Sequence, residues 1–268
     1  MTGLEARRRL GRWGPPLLLV ALGLAVWEVW VRLAGTPEWF LPPPSAVARA
    51  LVEDRALLLR HARVTLAEVL LGFALALAVG VLLAGLIDAS ATVERAVYPL
   101  VVASQTVPVP VLAPLLLVWF GYGLWPKVLV TALVAFFPIA VNTVDGLRAT
   151  DRDALRLLRT LGAGRWARFR LAKLPSALPY LFSGARVGVA VSVIGAVFAE
   201  LVGASAGLGY LTTRAAADFL TARVMAAVVV LGAMGVGLFA LVALAERLLL
   251  PWRRYAVAQD VESSQQGV

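Results

Sequence analysis

Long uncharged apolar stretches, set end to end and divided by short charged segments, constrain this chain more than any other feature. About 20 apolar residues cross the hydrocarbon core of a bilayer. Residues 69–87, 128–144 and 224–245 hold no charge. Residues 14–27 continue past Glu28 to Val31, and 187–199 are extended on both sides by small and apolar residues. The run 96–126 is too long for one straight span and holds Pro99, Pro108, Pro110, Pro114 and Pro126. It is either one span with a broken or re-entrant end or two short spans. We take one span over 96–118, then a Gly/Trp/Pro turn at 121–126. The fold class is an all-α polytopic membrane protein with about six transmembrane helices. Only 15% of residues are charged and 60% are hydrophobic, against about 25% charged in a soluble domain, which excludes a water-soluble globule and a disordered chain. With no cysteine and a single histidine, His61, there is no thiolate site and no multi-histidine metal site.

Arginines set the expected orientation, because positive charge accumulates in cytoplasmic loops. Arg7, Arg8, Arg9 and Arg12 precede the first span; nine basic residues lie in 147–186; Arg247, Arg253 and Arg254 end the chain. Six spans put all three regions in the cytoplasm, N-in and C-in. The +9 net charge then marks loops, not a nucleic-acid partner. The segment 36–64 falls outside with Arg49, Arg55, Arg60 and Arg63, partly offset by Glu53 and Asp54, and 88–95 is acidic. The chain divides into a basic N-tail (1–14), a first span (15–35) that stays uncleaved since no small-x-small site follows it, an external segment (36–64), a core (65–250) and a C-tail (251–268).

The 147–178 loop is long for a membrane bundle and patterned. Thr150 and Asp153 have capping-box spacing. Leu155 with Leu158 and Leu157 with Leu161 form an apolar stripe, flanked by Arg152, Arg156 and Arg159. Gly162-Ala163-Gly164 breaks the helix; a second short helix carries Trp166 and Phe169, and Leu174-Pro175 ends it. Pattern alone leaves three readings open: a helix–turn–helix in the lipid interface, a solvated loop, or a docking surface for a cytoplasmic partner.

This loop resembles the cytoplasmic loop of binding-protein-dependent ABC importer permeases, with the signature E-A-A-x-x-x-G-x(9)-I-x-L-P. Gly162 fits the glycine and Leu174-Pro175 the L-P; Ala172 stands at the isoleucine position, and Arg156, Leu157 and Leu158 stand where E-A-A is usual. Trp27-Glu28, the run Leu41-Pro42-Pro43-Pro44-Ser45, Gln105-Thr106-Val107-Pro108, Phe136-Phe137-Pro138, and Glu200 with Gly207-Leu208-Gly209-Tyr210 are similar to the sulfonate/taurine/nitrate and thiamine-precursor/riboflavin branch of these permeases. The resemblance implies a type I transmembrane subunit in the bacterial plasma (inner) membrane. Its implied partners are separate ABC ATPase subunits, an external solute-binding protein and a second permease copy, with the two-fold axis between copies as the economical place for a solute path. It also implies that 151–175 is the ATPase contact.

An ATP-binding P-loop needs G-x-x-x-x-G-K-[ST], so that amides and a lysine cradle phosphates. The two lysines, Lys127 and Lys173, lack that context, so no cofactor is expected on this chain, and ATP with Mg belongs to the partner ATPase. No catalytic or metal site is expected. Glu28 reads as an interfacial carboxylate paired with Arg32 at i+4. Glu200, beside Gly203, Gly207 and Gly209, is a candidate for the translocation path or outer gate, or else is paired with an arginine such as Arg186 or Arg214. Gln105 and Asn142 are path candidates whose plainer role is a helix–helix hydrogen bond. Phe136 and Phe137 could stack on a flat ring or simply pack. The prolines at 108, 110 and 114 point to an interrupted helix near the path. His61 is expected to be solvated in the outer segment. Gly72, Gly80 and Gly85, and Gly232, Gly235 and Gly237, permit close helix approach. An intramembrane enzyme lacks its nucleophile–base cluster, and a secondary carrier lacks mid-span titratable groups and repeated halves. A ring compound of the pyrimidine, thiamine-precursor or riboflavin kind is favoured as solute over a sulfonate, taurine or nitrate, because Glu200 would repel an anion.

Overall fold

The computed structural model describes residues 2–106 and 108–251, with side chains placed from 14 onward except at Pro110. Arg253 and Arg254 of the C-tail, and the side chains of the N-tail arginines, lie outside the described residues. The described elements are helical throughout: α1 (Thr2–Leu33), α2 (Pro44–Glu53), α3 (Arg55–Ala89), α4 (Ala91–Ala103), α5 (Val109–Phe120), α6 (Leu124–Arg148), α7 (Arg152–Thr160), α8 (Arg165–Arg168), α9 (Leu174–Gly203), α10 (Leu208–Ala217) and α11 (Thr221–Leu249).

Five helices are long and apolar enough to cross a membrane. A sixth span arises if the bent pair Ala91–Thr106 and Val111–Phe120 counts as one; its halves meet at 106°. The break falls in the middle of the run, not at its end. Pro108 immediately precedes α5, where it supplies no N–H to continue the helical ladder. The second span is longer than its uncharged run suggests: α3 begins at Arg55, inside the segment expected to be an external loop, and α2 occupies most of the remainder.

Helix α6 packs most extensively against α9 and α3. Glycines make this possible. A Cβ at Gly184 would stand 2.6 Å from the Pro138 carbonyl oxygen, and one at Gly72 would stand 2.5 Å from the Thr131 side chain. Gly80, Gly188 and Gly195 meet α6 at Ile139 and Thr131 in the same way. Where lipid removes the hydrophobic drive between helices, such close backbone approach supplies the dispersion contact that holds them. Gly85, Gly232 and Gly237 have no neighbour within 4 Å of that position among the described residues, and Gly235 meets only Val193 of α9, at 3.9 Å, so the glycines of α11 are not sites of the tight approach seen at α6.

Ion pairs fasten the two ends of the bundle. At one end Lys173 Nζ lies 2.6 Å from Asp88, and Arg148 pairs with Glu94 while stacking on Tyr98. The acidic character of 88–95 is thus matched to the basic loop it faces. At the other end Arg223 holds Asp54 through two bonds of 2.7 and 2.9 Å, and Thr221 bonds the Trp39 carbonyl. Glu28 pairs with Arg32 as expected. It also accepts hydrogen bonds from the Ser45 amide (2.9 Å) and hydroxyl (2.8 Å), tying α1 to the Leu-Pro-Pro-Pro-Ser segment. These ties and the helix directions place the 149–173 segment and the end of α11 together, at the end from which α1 starts.

Candidate functional sites

The 149–173 loop forms a protruding hairpin. Asp151, not Thr150, caps α7: its carboxylate accepts from the Asp153 amide at 2.8 Å, while the Thr150 hydroxyl turns back to the Leu147 carbonyl. Aspartate at that position satisfies an orphan N–H and opposes the helix dipole, so it outcompetes the threonine. The helix stops at Gly162, whose φ is +78°. Ala163 N–H bonds to Leu158 O at 2.9 Å and Gly162 N–H to Arg159 O at 3.1 Å. This is a Schellman closure, in which the left-handed residue is normally glycine. No residue of α7 is buried. Leu157, Leu161 and Trp166 are exposed, Trp166 stacks on Phe169 at 5.7 Å, and Arg152, Arg156 and Arg159 are exposed beside them.

Leu174-Pro175 does not end the second helix. Helix α8 passes through a π turn, Phe169–Lys173, into α9, so 165–203 form one rod. Pro175 at the start of α9 offers no N–H, and the wider π turn absorbs the missing bond. The loop is therefore joined rigidly to a central span.

A second site lies at the opposite end, where α3, α6, α9 and α10 meet. Three successive amides of the 207–209 turn are held by side chains. Gly207 N–H donates to His61 Nδ1 at 3.0 Å, Leu208 N–H to Thr65 Oγ1 at 2.8 Å, and Gly209 N–H to Glu200 Oε2 at 2.5 Å. Thr65 in turn donates to Glu200 Oε1 at 2.6 Å. Next to it Lys127 Nζ donates to Glu68 Oε1 at 2.7 Å. Glu68 Oε2 is buried without a hydrogen-bond partner among the described residues. Thr65, Glu68 and Glu200 are at most 1% exposed.

Several expectations change here. His61 is buried, accepting from Gly207 and stacked on Tyr210, because α3 extends far enough to carry it into the bundle. Arg186 pairs with Glu246 at 3.4 Å and Arg214 with Asp218 at 3.6 Å, and the cation of this junction, Lys127, pairs with Glu68. Asn142 bonds its own helix, at the Pro138 carbonyl (2.7 Å), and makes no helix–helix bond. Gln105 is exposed in the turn at the α4–α5 break. Phe136 packs among Ala76, Ala132 and Ile139, and Phe137 is half-buried. The structure unites Glu200, Gly207 and Gly209, and leaves Gln105, Phe136, Phe137 and Asn142 apart from them.

Residues 76–255 match the family described as the binding-protein-dependent transport system inner membrane component. The chain belongs to that family. The permease is 41% identical to the formylaminopyrimidine transport permease protein of Halalkalibacterium halodurans, over 89% of this chain and 96% of the relative. It is 39% identical to the riboflavin transport system permease protein of Chloroflexus aurantiacus, over 89% and 90%. Its fold matches the crystal structure of an amino acid ABC transporter with histidines, with a TM-score of 0.57 at 20% identity, over 74% of this chain and 96% of that one. The permease is thus an inner-membrane subunit of an ABC importer, a transporter component and not an enzyme, and its family implies an ATPase and a solute-binding protein as partners.

Proposed function

We propose that the permease carries a small ring compound of the pyrimidine, thiamine-precursor or riboflavin kind, driven by a separate ATPase that docks on the 151–175 loop. The observation that carries the docking role is the exposed apolar and arginine-rich face of α7 with Trp166, which no other span covers among the described residues, and which is continuous through the π turn with α9. Tryptophan and arginine are the residue types that most often anchor an interface. The ring-compound reading is supported by the similarity to the two relatives named for such solutes. Both Glu200 oxygens are engaged within the chain, so its charge does not select among solutes. The path belongs near the exposed break at Gln105, where an interrupted helix presents backbone groups. A second copy would complete it at a two-fold axis.

The docking role is tested by Gly162→Val and Trp166→Ala in the assembled importer. The first forces a β-branched residue into a left-handed turn, at about 1 kcal/mol or more. Both should lower ATPase co-purification and uptake while leaving membrane insertion intact; full retention of both by the two variants would remove the role. The ring-compound reading is tested by binding of such solutes to the cognate binding protein, where selection of a sulfonate alone would remove it.

Orientation is proposed as N-in, which puts the arginine-rich end in the cytoplasm and the polar junction toward the outer end of the spans. With no native cysteine, Glu38→Cys should react with an impermeant maleimide in intact cells and Leu161→Cys only after lysis. The opposite pattern inverts the topology.

A further inference from the structure

The polar junction is costly. Buried charges at membrane depth carry several kcal/mol of desolvation, and apolar packing of similar volume would hold helices as well or better. The middle of α3, α6 and α9 is held that way, by glycine, alanine and isoleucine contacts. The junction is also arranged around one short element, α10, bounded by two backbone reversals at Gly207 (φ +118°) and Phe219 (φ +57°). Its Leu208 and Leu211 are buried with Val47 of α2, Leu58 of α3, and Ala226 and Ala227 of α11, so α10 is seated on that side by apolar packing and tied to α9 by polar bonds. Its N-terminal amides are bound by residues from two different spans: His61 and Thr65 of α3, and Glu200 of α9. Thr65 serves both at once, accepting from Leu208 and donating to Glu200. Any separation of α3 from α9 must break this set together. Glu68, one turn along from Thr65, extends the tie to α6 through Lys127, and its second oxygen has no donor in this conformation. Packed cores and polar networks of this kind hold discrete arrangements; they do not deform continuously.

We propose that Thr65, His61, Glu68 and Lys127 are positioning residues that act with Glu200 as a latch: they hold 207–217 across α3 and α9 in the arrangement seen, and the bonds to α9 part when this end of the spans opens. The proposal rests on the permease reading above, since only an alternating-access protein must open that end.

The test uses the complete importer of permease, ATPase and binding protein, with Leu211→Cys as the sole cysteine. Leu211 is buried on α10, and an impermeant maleimide reports its exposure. Thr65→Val keeps shape and removes the hydroxyl's bonds to Leu208, Glu200 and the His61 carbonyl. Without nucleotide it should raise the labelling rate about tenfold, the factor that loss of one charge-assisted hydrogen bond sets. Thr65→Ser should return the rate to that of the parent, and Val189→Ala, a buried truncation in α9 away from the junction, should leave it there. If Thr65→Val fails to assemble, Glu200→Gln carries the same expectation. Labelling at the parental rate overturns the latch. An equal rise in Val189→Ala also overturns it, because the network would then be ordinary packing. A parental complex whose ATP hydrolysis ignores the binding protein overturns the permease reading, and the latch with it.

Discussion

Lys127→Met is expected to cost the permease most of its folded yield. Lys127 is the cation bonded to Glu68, which is itself almost wholly buried. Methionine fills similar space but leaves the buried Glu68 carboxylate with no positive charge bonded to it. Breaking a buried pair from one side costs about 3–5 kcal/mol, whereas replacing both partners by neutral groups of similar volume is often close to neutral. Recovery of monodisperse protein in detergent, and the temperature at which half of it aggregates, should fall sharply for Lys127→Met. Glu68→Gln combined with Lys127→Met should recover much of the loss. Additive losses in the double variant would show that the pair does not act as a unit.

The same pair shows what sequence reading saw and what it passed over. The spans were legible because uncharged runs of bilayer length have few other uses. Gly162 was legible because a break after an amphipathic stretch calls for a left-handed residue, and its φ of +78° is that conformation. Glu68 and Lys127 escape a reading of the sequence because each stands next to an apolar run and marks its boundary. In a helix that continues past the run, a boundary charge becomes a buried one. A signal was present: His61, Thr65, Glu68, Gly72, Ala76, Gly80, Ala84 and Ile87 recur at three- and four-residue steps, and all are buried on α3. Small and polar residues in that rhythm mark a packed helix face, and they extend it well before the uncharged run begins. The partners of Glu200 were less accessible. Thr65 lies 135 residues from it and His61 lies 146 from Gly207, and nothing local links them. Leu174-Pro175 misled for a different reason: a proline after a leucine usually closes a helix, and only the π turn before it lets the helix run on.

Gly207→Val should be the most damaging single glycine replacement at the junction, for two independent reasons. At φ +118° an L-residue is strained, at about 1–3 kcal/mol for such sparsely populated backbone. A side chain at 207 would also occupy the place of the Glu200 carboxylate, with all three nearest atoms belonging to that group. Relief in either direction undoes bonds: moving Glu200 releases Thr65 and the Gly209 amide, and moving the turn releases His61 and Thr65 from the 207 and 208 amides. Buried polar groups left without partners then add about 1–3 kcal/mol each. Gly85→Val is the matched control, since α3 is regular there and a Cβ meets nothing within 4 Å. Gly85→Val should keep close to parental folded yield and uptake. Gly207→Val should lose uptake entirely, with Gly207→Ala intermediate, because alanine meets the same carboxylate with one carbon only. Equal behaviour of Gly207→Val and Gly85→Val would mean that the 207–209 turn yields without cost, and the three captured amides would then not hold α10 in place.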